Sequence, residues 1–156
     1  MKQMLCVFSR ILGGKTFSAE LDRVIKSFDS LKTVRCSYDP SIYSESTPPS
    51  LIRSSDALQA AWRIDARVKM RGIDLSKIDI FFFQGYQLII PFTRLLKKRC
   101  TVLALDATPR SAARGNKKAA GSFSVYLTYL LDLLIYKQAF SSVDFFLART
   151  EHVKSS

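Results

Sequence analysis

The stretch Ile78-Asp79-Ile80-Phe81-Phe82-Phe83-Gln84-Gly85-Tyr86 decides the fold. Its first six residues, IDIFFF, form the most apolar short run in the chain, and the run stops at a polar residue followed by a glycine. A near-continuous apolar run of this length, closed by a turn signal, is the pattern of a strand buried on both faces. Strands of that kind belong to parallel sheets covered by helices on each side.

The flanking sequence supplies both. Leu88 to Leu96 reads as a short helix, and Thr101 to Leu105 (TVLAL) as another central strand ended by Asp106-Ala107-Thr108-Pro109. A basic loop, Arg110 to Gly121, leads into a long apolar helix from Ser122 to Phe140. Val143 to Ala148 (VDFFLA) is then the last strand, with Arg149-Thr150-Glu151 as its exit. On the amino-terminal side, Leu58, Ala61, Trp62, Ala66 and Val68 to Met70 repeat at helical spacing from Ser55 to a stop at Gly72. The segment SIYSESTPPS before it is loop. Thr33 to Tyr38 alternates as an edge or second strand. Leu21, Val24, Ile25 and Phe28 form a helical stripe, with Ser18 as its expected N-cap and Glu20 and Asp22 in its first turn. Met4 to Phe8 is the first strand, ending before Gly13-Gly14. The alternation predicts one α/β domain over residues 1–156: a three-layer, Rossmann-like domain with a mainly parallel sheet and helices on both faces.

Composition agrees with one domain, since 156 residues with 47% hydrophobic content suffice for one substantial core. The formal net charge of +11 favours anionic partners: phosphates, nucleic acid or an acidic lipid surface. Cys6, Cys36 and Cys100 are odd in number and lack any CxxC spacing, so they read as buried, reduced thiols of a cytoplasmic protein, and no metal site is expected. The first residues lack the small-residue cleavage site of a signal peptide. Ser122 to Phe140 approaches the ~20 apolar residues of a spanning helix. Asp132 lies near its middle, however, where a carboxylate costs at least ~2.5 kcal/mol in a bilayer. A buried or interfacial helix is therefore expected.

Ligands of open parallel sheets collect at the carboxyl ends of the strands, where loops converge and helix N-termini offer free N–H groups. That rule selects Gly13 and Gly14; Gln84, Gly85 and Tyr86; Asp106, Thr108 and Pro109; and Thr150 and Glu151. The double glycine either lets the backbone approach a phosphate or simply makes a turn, and neither GxGxxG nor a Walker A spacing surrounds it. Asp106 follows a buried strand, where it can accept the proton of a sugar hydroxyl or close an Asx-turn. Asp74, Asp79 and Asp144 start strands or flank helices, away from the carboxyl edge, and are expected to be solvated or to cap. His152 is the only histidine, which rules out machinery needing a second one. The densest basic region is Arg94, Lys97, Lys98, Arg99, Arg110, Arg114, Lys117 and Lys118. It reads either as a solvated face or, beside the aromatic helix that follows, as a surface resting on anionic lipid.

The opening strand with Gly13-Gly14, the runs IDIFFFQGY and TVLALDATPR, the exit VDFFLARTEHVKSS and the stretch from Thr16 to Asp39 resemble the N-terminal domain of retaining glycosyltransferases of the GT-B fold. The resemblance covers nearly the whole chain through short, degenerate motifs. It implies an acceptor-side domain: Asp106 catalytic, Gly13 and Gly14 bordering donor phosphates across a cleft, Gln84, Gly85, Tyr86, Thr108 and Pro109 lining the acceptor pocket, and Thr150 and Glu151 on its rim. The partners so implied are a sugar or lipid-linked acceptor and a second α/β domain carrying the nucleotide-sugar, which is substrate; no cofactor is implied. The family's donor half lies outside this sequence, so the chain alone is expected to be inactive. Such a domain would be cytoplasmic, or peripheral on the inner face of the membrane.

Two other readings compete. A non-catalytic basic module would dock on an anionic membrane or on nucleic acid, although no RNP, KH, zinc-finger or helix-turn-helix pattern supports the latter. A flavodoxin-like or dinucleotide-binding oxidoreductase shares the fold class but lacks the glycine fingerprint. The transferase reading requires an open cleft at Gly13, Gln84 and Asp106, with an exposed apolar flank.

Overall fold

The computed structural model describes residues 1–9, 14–38, 56–105 and 123–148. Five strands are found: β1 (Lys2–Ser9), β2 (Leu31–Tyr38), β3 (Ile80–Gln84), β4 (Cys100–Leu105) and β5 (Phe145–Ala148). All pair in parallel, in the order β2-β1-β3-β4-β5. The run IDIFFF supplies the central strand, as its uniform apolarity requires. Phe81, Phe82 and Phe83 are each at most 1% exposed.

Between the strands lie α1 (Gly14–Lys26), α2 (Asp56–Met70), a 3-10 segment from Tyr86 to Phe92 continuing into α3 (Thr93–Leu96), and α4 (Phe123–Phe140). Alternate residues of the strands serve two cores. Leu5, Val7, Phe81, Phe83, Leu103 and Leu105 meet Ala60, Ile64 and Val68 of α2, Leu88, Ile89 and Phe92, and Ala139 of α4. Met4, Cys6, Phe8, Phe82 and Ala104 meet Ile25 and Leu21 of α1 on the opposite face. The sheet is therefore a middle layer with helices on both sides, the three-layer Rossmann-like arrangement. Phe81, Phe83 and Phe92 form one aromatic group, with ring centroids 5.4–6.1 Å apart. Truncating one such ring to alanine typically costs about 3–5 kcal/mol.

Two expectations need correction. Ser18 is not the N-cap of α1, because the helix begins at Gly14. At ~1.5 Å per residue, a helix starting after Ser18 would be about 12 Å long, too short to run back beside an eight-residue strand. Glu20 and Asp22 accordingly fall within the helix and not in its first turn. The apolar stripe of α1 is also narrower than its spacing suggests: Ile25 is buried, whereas Val24 and Phe28 are more than half exposed.

The end of α2 follows its sequence signal. Gly72 takes φ +60°, its N–H donates to the Lys69 carbonyl, and the N–H of Ile73 donates to the Val68 carbonyl. This double bond is the Schellman closure that glycine makes possible at C′. The aspartates flanking strands act as clamps. Asp79, just before β3, exchanges two bonds with Gln3 of β1: its N–H donates to the Gln3 carbonyl at 2.9 Å, and its Oδ2 accepts from the Gln3 N–H at 2.8 Å. Asp144 repeats this pattern before β5 with Thr101 of β4, at 3.0 and 2.8 Å. Asp74 caps the 3-10 turn Leu75–Lys77, accepting from the Ser76 N–H and hydroxyl.

Among the described residues, no helix is long and apolar enough to cross a membrane. In α4, Ile135 and Ala139 are buried while Leu134 is 66% exposed.

Candidate functional site at the carboxyl edge of the sheet

The connection from β1 to β2 moves one way along the sheet, and the connection from β2 to β3 returns past β1 to its other side. The order of winding thus reverses between β1 and β3. In doubly wound sheets the loops diverge at such a point and leave a crevice at the carboxyl ends, which is where ligands bind. Here that edge holds the exit of β1, the N-terminus of α1 at Gly14, and the sequence Gln84-Gly85 at the end of β3.

Gln84 is the distinctive residue. It is the last residue of β3, in register with Ala104 of β4, and by strand alternation shares the face of Phe82. That face carries Phe8, Phe82, Ala104 and α1, so Gln84 and the N-terminus of α1 lie on the same side of the sheet at the same edge. The side chain is 7% exposed, and its Oε1 is closed off from solvent and accepts no hydrogen bond, so at Gln84, the one described residue of Gly13, Gln84 and Asp106, the open cleft expected of a transferase is not found. A buried amide oxygen left unpaired costs about 1–3 kcal/mol. Natural cores seldom tolerate this, and where they do, a bound partner or a function is the usual reason.

Gly85 turns the chain out of the sheet. Its φ of +107° and ψ of 134° lie where side-chain-bearing residues are strained, and its N–H donates to the Ala104 carbonyl at 3.1 Å. A Cβ here would come within 3.0 Å of Gln87 Oε1. Gln87, which sequence reasoning passed over, is thereby brought beside the Gln84–Gly85 corner; no spacing signal marks it.

Tyr86 takes a different place from Gln84. Its ring packs edge-on against Tyr136 of α4, with centroids 5.6 Å apart, in the core of the opposite face. Desolvation in this packing raises the Tyr136 phenol above its ordinary pKa. The pair therefore braces α4 against the 3-10 segment next to the crevice.

Of the other sequence-predicted site residues, Gly14 opens α1, whereas Gly13, Asp106, Thr108, Pro109, Thr150 and Glu151 lie outside the described residues. Asp106 directly follows Leu105, the last residue of β4. The basic cluster is divided in the same way. Arg94, Lys97 and Lys98 are exposed on and after α3, and Arg99 donates from Nη2 to the Ser76 carbonyl at 3.0 Å. These four precede β4 and so stand at the amino edge of the sheet, away from Gln84. Arg110, Arg114, Lys117 and Lys118 lie outside the described residues. Among the described residues, no group of three His, Cys, Asp or Glu is placed to hold a metal ion.

The chain was compared with protein-family models, with curated proteins and with solved structures, and nothing matched in any of the three. Strand order alone does not choose a chemistry, since the β2-β1-β3-β4-β5 order is shared by proteins of unrelated function.

Proposed function

We propose that this chain is the acceptor-side domain of a glycosyltransferase, binding a sugar or a lipid-linked sugar at the carboxyl edge between β1 and β3. The observation that carries the reading is Gln84: a buried amide with an unpaired oxygen, at the reversal point of a parallel sheet and on the same face as the N-terminus of α1. Such a corner suits a ligand that presents hydroxyl groups to the amide and a negative group to the helix end. The motif resemblance through IDIFFFQGY and TVLALDATPR points the same way.

In this reading the chain's own residues bind and orient. Gln84 holds an acceptor hydroxyl, Gly85 keeps the backbone clear of the sugar, and Asp106 accepts the proton as the hydroxyl oxygen bonds to the anomeric carbon on the face from which the nucleotide departs, the carbon–phosphate oxygen bond breaking and its electrons leaving with the nucleotide. The nucleotide is held by a second α/β domain, whose closure over the crevice excludes water from the reaction.

The test is a glycan array probed with the purified chain, run beside sugar-nucleotide turnover assays with the chain alone. Retention of a defined set of glycans, with no turnover, is expected. Binding to no glycan, or transfer by the chain unaided, would overturn the proposal.

A second reading, docking on an anionic membrane, is favoured by one observation. Leu95 (45% exposed) sits between Arg94 and Lys97-Lys98, and Leu134 is exposed on α4, which packs with α3 against the 3-10 segment. Exposed leucines beside cations suit a lipid interface, and such docking is compatible with a lipid-linked acceptor.

A further inference from the structure

We infer that Gln84 reads a neutral hydrogen-bond donor of the ligand, a sugar hydroxyl or an amine, and not the phosphate, and that the fold keeps it at a cost in stability. This rests on the carboxyl-edge reading above and narrows it. The buried, unpaired atom is a carbonyl oxygen. An amide oxygen only accepts, so its complement must donate. The oxygens of a phosphodiester carry no proton at neutral pH, so they only accept and would face it unfavourably.

The surroundings strengthen the assignment. Among the described strand residues, those beside Gln84 on its face are Phe8, Phe82 and Ala104, all at most 5% exposed, and none of these three carries a side-chain donor. The Gly85 N–H, the nearest backbone donor along the chain, is already committed to Ala104. Within this setting an apolar residue of similar length would pack without leaving an unpaired atom. Glutamine is thus the poorer choice for folding alone, and the ligand supplies what the fold withholds. A hydroxyl seated at the edge reaches the oxygen with a small turn of the carboxamide about its terminal torsion, which is soft. The two ends of the site then differ in kind: the α1 N-terminus takes negative charge, and the end of β3 takes a neutral donor.

The experiment uses the whole chain, 15N-labelled, with the Gln84 side-chain amide signals assigned by their loss in Gln84→Met. D-glucose and dimethyl phosphate, an anion with no hydroxyl, are titrated separately, and the melting temperatures of the wild type, Gln84→Met and Gln84→Leu are compared. Glucose should shift the Gln84 amide pair while dimethyl phosphate leaves it unmoved. At least one of the two apolar variants should melt at or above the wild type, by up to about 2–4 °C, and should lose glucose binding at least ten-fold.

Three results overturn the inference: both apolar variants melting lower than wild type, dimethyl phosphate moving the Gln84 pair as glucose does, or neither probe moving it. A chain that takes glucose at Gln84 yet retains no glycan on the array loses the transferase reading and keeps this one. A chain that retains glycans without any response at Gln84 does the reverse.

Discussion

At the residue scale, two glycines with positive φ do different work. Gly72 closes α2 in the ordinary left-handed region at +60°, and a Cβ there would meet nothing within 4 Å. Gly72→Asn should therefore be nearly neutral, and Gly72→Ala should cost about 1 kcal/mol. Gly85 lies at +107°, where the backbone itself resists a side chain; the Gln87 end that a Cβ would touch can swing away. Gly85→Ala should cost about 1–3 kcal/mol, all of it backbone strain. Chemical denaturation of the three variants checks the order. The cysteines separate as clearly. Against the expectation of three buried thiols, Cys100 is exposed at the start of β4, whereas Cys6 and Cys36 are buried, and burial raises the Cys36 thiol against the opposing pull of Arg67 and Arg71. A thiol reagent at neutral pH should modify one cysteine quickly, Cys100 by mass spectrometry, and the other two only on unfolding. Asp74 gives the pH dependence. Its bonds to Ser76, and then to Lys77, hold its carboxyl below the ordinary value of 3.8. Folded protein thus binds this proton less readily than unfolded chain. The contribution is present in full above the ordinary value and is lost as pH falls through the lower native one. Asp74→Asn should lower stability slightly at neutral pH and flatten the acid limb below about pH 4, where the variant and wild-type curves converge.

At the scale of elements, the aspartates before β3 and β5 join neighbouring strands at their amino ends. Each clamp satisfies a backbone N–H that would otherwise go unpaired. Asp79→Ala should cost about 1–2 kcal/mol, and Asp79→Asn, which keeps the acceptor oxygen, distinctly less; equilibrium denaturation separates them. From sequence these aspartates read as solvated or capping, and the clamp between neighbouring strands emerges only once β1 lies beside β3 and β4 beside β5. Sequence reading located the strands because a run such as IDIFFF has one stable environment, and the end of α2 because Gly72 is both a breaker and a cap. It misplaced the start of α1 because Ser18 is a good capping residue in isolation. The length needed to return beside β1 is a tertiary requirement that outweighs one cap. The candidate site was legible only in outline. That Gln84 ends a buried strand is written locally, but that it shares a face with Phe8, Phe82 and Ala104 and leaves its carbonyl unpaired depends on three strands brought into register. The proximity of Gln87 to Gly85 depends on a backbone conformation that no spacing encodes.

At the scale of the whole molecule, β5 and the cations respond to salt in opposite directions. Parallel sheets are normally covered on both faces and guarded at their edges. β5 is an edge strand, yet Phe145, Phe146 and Leu147 are 59%, 48% and 47% exposed, even though the Phe146 ring also meets Phe140 at 4.7 Å. Its outer side pairs with no strand among the described residues. An apolar edge of this kind drives association, and the net charge of +11 opposes it. Salt screens the repulsion over a Debye length of about 10 Å at 0.1 M and leaves apolar attraction in place. Self-association measured by sedimentation velocity should therefore increase with salt, and Phe145→Lys should suppress it by adding both a charge and a guarded edge. Binding to anionic vesicles through Arg94, Lys97 and Lys98 should instead weaken with salt and be untouched by Phe145→Lys. Association that falls as salt rises would mean that charge pairing, and not the β5 edge, holds the copies together.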